Sequence, residues 1–256
     1  MILKDKQVLI TGIRNKWSIA YGAAVSAYKQ GAKLVFTFMG EENREKIEEL
    51  ISEFDGAKAY ELDVSEDETI EKVFTQIKNE CGKIDGILHS IAHANTDDLK
   101  DAFLNTSRSG YAHANDCSAY SLVAMARIAK NVGLIDEGSS IVALTYHGST
   151  KVLPGYNVMG VAKAALETSI IYLANDLGPM GIRINGVSAG PIKTLSARGI
   201  KDFSTIQDIM AEKSPLRRNV TAEEVGNAVT FLMSDMSSAI TGQIVYVDSG
   251  YSIMGM

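Results

Sequence analysis

The sequence predicts an α/β fold: a single doubly wound domain over residues 1–256, with a seven-stranded parallel sheet and helices on both faces. Short apolar runs alternate with stretches of helical periodicity along the whole chain. Sustained alternation of this kind favours one parallel sheet with right-handed crossovers. A length of 256 residues, 46% of them hydrophobic, would also allow two small domains. No boundary is visible, however, and only four prolines are available for linkers.

Seven runs rich in aliphatic and β-branched residues are predicted as the strands. A helical pattern over 97–131 is expected to pack against a second subunit, and Thr221 to Glu224 form a capping box that begins a later helix. The predicted strands cover 7–12, 33–38, 57–62, 84–89, 139–144, 182–187 and 243–248.

Composition and charge exclude several classes of function. The net charge is −6 and no block of lysine or arginine occurs, so we expect neither a nucleic acid nor an anionic membrane surface as partner. No window approaches the ~18 apolar residues of a membrane span, so no membrane insertion is expected. Cys81 and Cys117 are too few for a disulfide framework, which favours a reducing, cytoplasmic location. The four histidines lack the spacing of a metal site, so no metal is expected.

The first predicted strand, turn and helix have the order of a phosphate-binding unit. The strand ends at Gly12, where the backbone can approach a ligand closely, and the helix begins near Ser18 and Ile19. Ser18 is expected to cap that helix and to contact a pyrophosphate at its N-terminus. Five residues separate Gly12 from Ser18, so the glycine pattern of a dinucleotide site is incomplete. An ordinary strand-to-helix turn is the alternative.

The ends of the second and third strands would meet the adenosine half of a dinucleotide. Met39 follows the second strand, and no basic residue accompanies it, which favours NADH; Arg44, further on, leaves NADPH open. Asp63 and Val64 follow the third strand and are placed to contact an adenine edge. Turn formation or helix capping by Asp63 is the alternative.

Small residues follow the fourth predicted strand, and a Gly-Pro turn follows the sixth. The first run includes Ser90, Ile91 and Ala94, where a cofactor can lie flat against the backbone. The second begins at Pro191, and the segment after it, around 193–210, is predicted to form a substrate-binding lid. Both turns lie at carboxyl ends of strands, which is the edge where doubly wound sheets bind ligands.

Tyr156 and Lys163 lie in a predicted helix that continues to about residue 177. Seven residues correspond to two helical turns, so both side chains are expected on one face. A nearby ammonium favours the phenolate, so we expect the pKa of Tyr156 to be lowered, and its hydroxyl to donate to a developing oxyanion. The alternative is that Tyr156 packs in the core and Lys163 extends to solvent. Gly12, Ser90, Tyr146 and Pro191 all follow strands on the same edge, and this convergence favours catalysis.

With these motifs the chain resembles the short-chain dehydrogenase/reductase superfamily, whose domain is a Rossmann fold, and within it the NADH-dependent enoyl-acyl-carrier-protein reductases of bacterial fatty acid synthesis. The Tyr-x6-Lys spacing is specific, since other members of the superfamily carry Tyr-x3-Lys and a serine 13 residues before the tyrosine. The residues that carry the resemblance are Gly12, Ser18-Ile19-Ala20, Asp63-Val64, His89-Ser90-Ile91-Ala92, Thr145-Tyr146, Tyr156-Asn157-Val158-Met159-Gly160-Val161-Ala162-Lys163, Ser188-Ala189-Gly190-Pro191-Ile192-Lys193-Thr194-Leu195-Ser196 and Val247-Asp248-Ser249-Gly250.

The resemblance implies roles for individual residues. Tyr146, Tyr156 and Ala94 would face an enoyl thioester carried by acyl carrier protein, Lys163 would hold the nicotinamide ribose, and the protein would be a homotetramer. His93 and His147 stand where the family is expected to have phenylalanine and leucine, and His93 lies near the expected acyl pocket. The residues implied to bind the cofactor are Gly12, Ser18, Ile19, Met39, Asp63, Val64, Ser90, Ile91, Lys163, Ile192, Lys193, Thr194, Leu195 and Ser196.

The chemistry of enoyl reduction suits these residue types. Hydride addition to the β-carbon of a 2-enoyl thioester places charge on the thioester oxygen as an enolate, which Tyr156 can stabilise by hydrogen bonding. Lys163 would add positive potential and fix the cofactor. A keto- or alcohol dehydrogenase of the same fold would need a donor near Ala143, where no serine stands. A dinucleotide sensor without turnover is the third interpretation. Tyr146 could also be a structural residue, and His147 is expected to be structural.

Overall fold

The structure, a computed structural model, describes residues 1–194 and 203–255. In this part of the chain seven parallel strands form one sheet in the order β3-β2-β1-β4-β5-β6-β7. The sheet therefore reverses its direction of growth between β1 and β4. The strands are β1 (Gln7–Ile10), β2 (Lys33–Phe38), β3 (Lys58–Glu61), β4 (Gly86–His89), β5 (Ser140–Tyr146), β6 (Arg183–Ala189) and β7 (Ile244–Val247).

Helices cover both faces of this sheet and enclose two apolar clusters. One cluster lies under α3, α6 and α7, and the other under α1, α2 and α9. The fold class predicted from the sequence is confirmed. The helices are α1 (Ile19–Lys29), α2 (Arg44–Ile51), α3 (Asp67–Cys81), α4 (Asp97–Lys100), α5 (Arg108–Asn115), α6 (Ser121–Asn131), α7 (Asn157–Leu177), α8 (Phe203–Lys213) and α9 (Ala222–Met233).

The carboxyl ends of all seven strands meet at one edge, because every neighbouring pair is parallel. The register places Ile10 of β1 beside Leu88 of β4, and His89 of β4 beside Ala143 of β5. The loops that follow β1 and β4 are therefore neighbours at the point where the strand order reverses. In doubly wound sheets this is the crevice that binds nucleotides.

Helices α1 and α9 cross closely because glycines remove the side chains at their contact. A Cβ atom at Gly22 would collide with the backbone of Ala222, and a Cβ atom at Gly226 would lie 2.5 Å from the carbonyl oxygen of Gly22. The capping box predicted at Thr221 is confirmed: its side chain accepts from the Glu224 amide, and the Glu224 carboxylate accepts from the Thr221 amide. These contacts hold α1, the helix of the first βα unit, against α9.

Some predicted boundaries were wrong. Strands β5 and β6 are longer than predicted and end at Tyr146 and Ala189, since their backbone pairing continues to those residues. The predicted helical region over 97–131 is divided into α4, α5, a π-helical turn over Asp116–Tyr120, and α6. The break before α5 has a local cause, because Ser107 caps that helix and donates its own amide to the Asp98 carboxylate.

Among the helices in the described residues, none has the length and apolar character required to cross a bilayer.

Candidate active site

The turn after β1 lies directly against the exit of β4. Gly12 has a φ of 72°, and a Cβ atom there would lie 2.6 Å from the Ser90 carbonyl oxygen and 3.2 Å from the Ile91 side chain. Thr11 ties the two strands together, since its hydroxyl donates to the Leu88 carbonyl at 2.7 Å. The structure thus brings the predicted cofactor residues Gly12, Ser90 and Ile91 together at the switch point of the sheet.

Helix α1 begins at Ile19, immediately after the cap residue Ser18. The Ser18 hydroxyl accepts from the Tyr21 amide at 3.1 Å and donates to the Asn15 carbonyl at 2.8 Å. The capping role predicted for Ser18 is confirmed. The start of this helix faces the same edge as Gly12, and the amide groups and dipole of a helix N-terminus attract phosphate.

The end of β2 is open, and its nearest arginine is already paired. Met39 is 58% exposed, as a residue beside a bound nucleoside would be before binding. Arg44 donates to both carboxylate oxygens of Glu41, at 2.5 Å and 3.0 Å, and stacks 5.2 Å from the centre of the Phe38 ring. Arg44 is therefore engaged with a carboxylate beside the open end of β2.

Asp63 forms a turn at the end of β3. Its carboxylate accepts from the amide of Ser65 at 2.9 Å and from the hydroxyl of Ser65 at 2.7 Å. The turn interpretation of Asp63 is therefore confirmed, while a contact with adenine stays a prediction. Val64, beside it, is partly buried against the apolar cluster under α3.

Ala94 lies in a loop that two other segments hold in place. The Ser118 hydroxyl, in the π-helical turn, accepts from the His93 amide at 3.0 Å and contacts the His93 carbonyl at 3.1 Å. The His93 imidazole meets that of His113 on α5, with Nδ1 and Nε2 2.7 Å apart. Burial, and then the charges of His113 and Arg14, lower the pKa of His93. The loop that would contact the acyl chain is thus fixed by side chains of neighbouring helices.

Tyr146 and Tyr156 form one aromatic pair at the carboxyl edge. Their ring centres are 5.0 Å apart and the planes meet at 75°. Burial, and then the charges of Tyr146 and Glu167, raise the pKa of Tyr156 far above its usual range. Burial also raises the pKa of Tyr146 to about 12. The expected lowering of the Tyr156 pKa was therefore wrong, and both phenols keep their protons at neutral pH, so each can act as a hydrogen-bond donor.

The position of Lys163 explains why the pKa of Tyr156 is not lowered, because the ammonium group of Lys163 is directed to the sheet. Its side chain is only 5% exposed, and Nζ donates to the Leu144 carbonyl oxygen at 2.8 Å. Burial lowers the pKa of Lys163 to about 8, against an opposing effect of Glu167. Tyr156 precedes α7, and Asn157 after it has a φ of 39°, so Tyr156 and Lys163 do not share two regular helical turns. The alternative in which Lys163 extends to solvent was wrong.

The Gly-Pro segment after β6 reaches the same edge. Ile192 packs against the apolar cluster under α1, Lys193 is exposed, and Thr194 donates its amide to the Ile192 carbonyl at 2.8 Å. The Pro191 carbonyl accepts from Gln207 of α8 at 3.2 Å. Leu195 and Ser196 lie outside the described residues, as does the central part of the predicted lid around 193–210.

His147 follows β5 and is buried, with 7% exposure. Its ring meets that of Tyr251 edge to face, with centres 5.8 Å apart, and its Nδ1 atom has no hydrogen-bond partner among the described residues. Burial lowers the pKa of His147. The structural role expected for this histidine agrees with its packing against the end of the chain.

Three residues beside the site were not assigned a role from the sequence. Glu167 accepts a hydrogen bond from Thr145, and its position four residues after Lys163 on a predicted helix was a usable signal. Asn157 donates to the Asp101 carbonyl at 2.6 Å and so connects the start of α7 with the end of α4. Ser118 gave no signal, because a π-helical turn has no recognisable pattern in a single sequence.

These features fit a nicotinamide dinucleotide. Three features lie beside one another at the carboxyl edge: the close backbone approach at Gly12, the N-terminus of α1 and the exposed end of β2. The buried ammonium of Lys163 and the paired phenols lie on the other side of β1, at the carboxyl end of β5. Along the edge the order is therefore that of adenosine, phosphate and nicotinamide subsites, with the phosphate subsite at the switch point of the sheet.

A protein-family model described as "Enoyl-(Acyl carrier protein) reductase" matches residues 12–252. The chain belongs to this family. Among curated relatives, the enoyl-acyl-carrier-protein reductase [NADH] FabI of Bacillus cereus is 49% identical over 256 residues, covering 99% of each chain. The [NADPH] FabI of Staphylococcus aureus is 49% identical over 251 residues, covering 97% of each.

Solved structures of this reductase family have the same fold as the chain. The crystal structure of the Bacillus cereus enoyl-acyl carrier protein reductase with NADP+ and indole naphthyridinone has a TM-score of 0.96 at 48% identity, covering 100% of this chain and 99% of that one. The NADH enzyme of Aquifex aeolicus has a TM-score of 0.95 at 42% identity, with full coverage of both.

Proposed function

We propose that Tyr156, Tyr146 and Lys163 carry out the reduction of 2-enoyl thioesters on acyl carrier protein, with NADH preferred over NADPH. Membership of the family makes the chain an NAD(P)H-dependent enoyl-acyl-carrier-protein reductase, an oxidoreductase of fatty acid synthesis. The observation that carries the assignment of roles is the protonated phenol of Tyr156 at the edge where Lys163 is buried against Leu144.

The reduced nicotinamide, when bound, supplies a hydride to the β-carbon of the enoyl thioester. As charge develops on the thioester oxygen, the Tyr156 hydroxyl donates a hydrogen bond to it. Burial, and then the charges of Tyr146 and Glu167, raise the pKa of Tyr156, so its hydroxyl keeps the proton while it donates this hydrogen bond. During hydride transfer the enolate needs only this hydrogen bond, and it then takes a proton from solvent at its α-carbon to give the saturated thioester. The alkoxide of a ketone reduction is more basic and requires proton delivery from the protein.

Tyr146 is the second donor at this edge and supports the first. Its ring limits the movement of Tyr156, since the two meet edge to face at 5.0 Å. Lys163 has three N–H groups, one of which binds Leu144, so two are available for the hydroxyls of a ribose. Ala94, in the loop held by Ser118, forms the wall for the first carbons of the acyl chain.

Cofactor-binding roles are proposed for the remaining edge residues. Gly12, Ser18 and Ile19 admit the pyrophosphate, and Met39 lies beside the adenosine. Asp63 and Val64 meet the adenine, while Ser90 and Ile91 form the floor. The segment from Ile192 to Ser196 holds the nicotinamide end. The preference for NADH is supported by Arg44, whose guanidinium is bound to Glu41 at the ribose end of the site.

One assay separates this function from its alternatives. The purified protein is mixed with NADH and either a 2-enoyl thioester, such as a crotonyl thioester, or a 3-oxoacyl thioester, and the absorbance of NADH is followed. We expect loss of NADH with the enoyl substrate and at least about 100-fold slower loss with the oxo substrate, because no serine donor stands at Ala143. Consumption with the oxo substrate alone would identify a keto reductase, and binding without turnover would identify a sensor.

The protein is further proposed to be a homotetramer. Large apolar side chains are exposed on α5, α7 and the π-helical turn: Tyr172 by 71%, Ile171 by 57%, Tyr120 by 46% and Tyr111 by 44%. Exposed aromatic groups on adjoining helices are typical of subunit contacts. Light scattering of the protein as it elutes from a size-exclusion column should give four times the mass of one chain. Ile171→Glu should reduce that mass, and a monomeric wild type at micromolar concentration would contradict the proposal.

A cytoplasmic location also stays a proposal. Both cysteines, Cys81 and Cys117, are free thiols, which suits a reducing compartment.

A further inference from the structure

The ammonium group of Lys163 is buried, and a buried charge is costly unless other groups compensate it. Its bond to the Leu144 carbonyl fixes its position but brings only a partial charge. A cofactor site that depends on a positive lysine at neutral pH therefore needs a source of negative potential nearby. The residues around Lys163 contain such a source, one helical turn away.

Glu167 lies four residues after Lys163 on α7, so both side chains leave the same side of the helix. Its Oε1 atom accepts a hydrogen bond of 2.6 Å from the hydroxyl of Thr145, which is only 4% exposed. Thr145 adjoins Leu144, the residue that accepts from Lys163. Two consecutive residues at the end of β5 thus bind Lys163 and Glu167, one each.

Other ionisable groups face Lys163 from the elements packed around it. Cys117 lies on the π-helical turn, and burial, Asp116 and Asp63 raise the pKa of its thiol, which keeps the thiol neutral. His89 lies at the end of β4, and burial lowers its pKa to about 3, so it is neutral as well. Within the described part of the chain, Glu167 is therefore the ionised partner whose charge acts on Lys163.

We propose that Glu167, held by the hydroxyl of Thr145, is a positioning residue that keeps Lys163 charged and directed at the cofactor. The inference rests on the proposed ribose-binding role of Lys163 and assigns a function to two residues beside it. Neither Glu167 nor Thr145 touches substrate in this arrangement. Their effect is transmitted through the ammonium group.

The test measures NADH binding, by fluorescence, as a function of pH. In the wild type the affinity should fall above about pH 8, where Lys163 loses its proton. Glu167→Gln keeps the shape and the bond to Thr145 but removes the charge, so the fall should move to lower pH by about one unit. Thr145→Val should move it in the same direction by less, and Thr145→Ser, which keeps the hydroxyl, should restore the wild-type profile.

Two controls separate this effect from general ones. Asp176→Asn removes an exposed carboxylate from the same helix and should leave the pH profile of NADH binding unchanged. In a Lys163→Ala background, Glu167→Gln should have no further effect on that profile, because the group on which it acts is absent.

The outcomes distinguish the inference from the function on which it depends. If Lys163→Ala binds NADH like the wild type, the ribose role is wrong. If Lys163→Ala weakens binding but Glu167→Gln and Thr145→Val leave the pH profile where it was, the ribose role stands and the inference fails. A lower melting temperature with an unmoved profile would show that Glu167 and Thr145 are only structural.

Discussion

Gly148 lies directly against the ring of Tyr156, so that a Cβ atom at residue 148 would collide with the Cδ1 atom of the phenol ring. Gly148 belongs to the short 3₁₀ turn after β5, and Gly160 of α7 packs on its carbonyl group. The absence of a side chain at residue 148 thus determines where the Tyr156 ring can lie. The placement of the proposed donor depends on a residue that has no chemistry of its own.

Gly148→Ala should therefore impair catalysis with little effect on folding. The added methyl group would displace the Tyr156 ring, and displacements of about 1 Å at a reacting group cost roughly 10- to 100-fold in rate. We expect kcat to fall by that factor while the dissociation constant of NADH stays within about twofold of the wild type. Gly178→Ala is the matched control, since a Cβ atom at that position meets nothing within 4 Å. A wild-type kcat in Gly148→Ala would contradict the placement of Tyr156.

Tyr156→Phe tests the donor itself. Removal of one preorganised hydrogen-bond donor to an oxyanion costs about 10²- to 10³-fold in kcat. Because the ring remains, the contact with Tyr146 and the affinity for NADH should be nearly unchanged. Tyr146→Phe removes the other hydroxyl of the pair and should cost less, about tenfold, if Tyr146 mainly limits the movement of Tyr156. Equal rates for Tyr156→Phe and the wild type would remove the role proposed for that hydroxyl.

Glu41→Ala should relax the preference for NADH. The Glu41 carboxylate binds Arg44 through two hydrogen bonds, and its removal would leave Arg44 only the longer contact of 3.4 Å with Glu48, so that the guanidinium can bind a 2′-phosphate. We expect the KM for NADPH to fall about fivefold, with the KM for NADH unchanged within about twofold. Glu45→Ala, an equal change of charge at an exposed position on α2, is the control for overall electrostatics. Similar responses of the two variants would show that Arg44 does not select the cofactor.

The regular part of the fold was predictable because it depends on local patterns. Strand β2 has the predicted bounds, and the caps at Ser18 and Thr221 follow from single residues placed before apolar helices. The common carboxyl edge follows from strand and helix alternation alone. Sequence spacing therefore predicted that the candidate site residues lie at one edge of the sheet, and the parallel strand order agrees with this placement.

The electrostatics of the site could not be predicted in this way. Spacing alone placed Tyr156 and Lys163 on one helix face, whereas the pKa of a phenol depends on burial and on every charge around it. Lys163 turns to the Leu144 carbonyl, and the Tyr156 ring packs on Tyr146. Both contacts join residues that lie apart on different elements. The hydrogen bond between Ser118 and His93, which holds the loop of Ala94, also joins residues that are far apart in sequence. Such contacts appear only once the elements are packed.

His89 should make the protein sensitive to mild acid. It is fully buried, its Nε2 atom lies 2.8 Å from the Ser121 hydroxyl, and burial lowers its pKa from 6.5 to about 3. Between those values the unfolded chain binds a proton that the folded protein does not, so stability falls as the pH decreases through this window. The slope is about 1.4 kcal/mol per pH unit, or about 2 kcal/mol between about pH 7 and about pH 5.

Urea unfolding at these two pH values measures that difference in free energy. His89→Gln cannot be protonated, so its loss of stability on acidification should be smaller than that of the wild type by about 2 kcal/mol, whatever its stability at neutral pH. Burial also lowers the pKa of His93 and His147, so the wild type and His89→Gln both retain a residual loss of stability on acidification. Ser121→Ala removes the hydrogen-bond partner but keeps the buried imidazole, and should keep the wild-type slope. Identical slopes for His89→Gln and the wild type would mean that His89 is protonated as readily in the folded protein as in the unfolded chain.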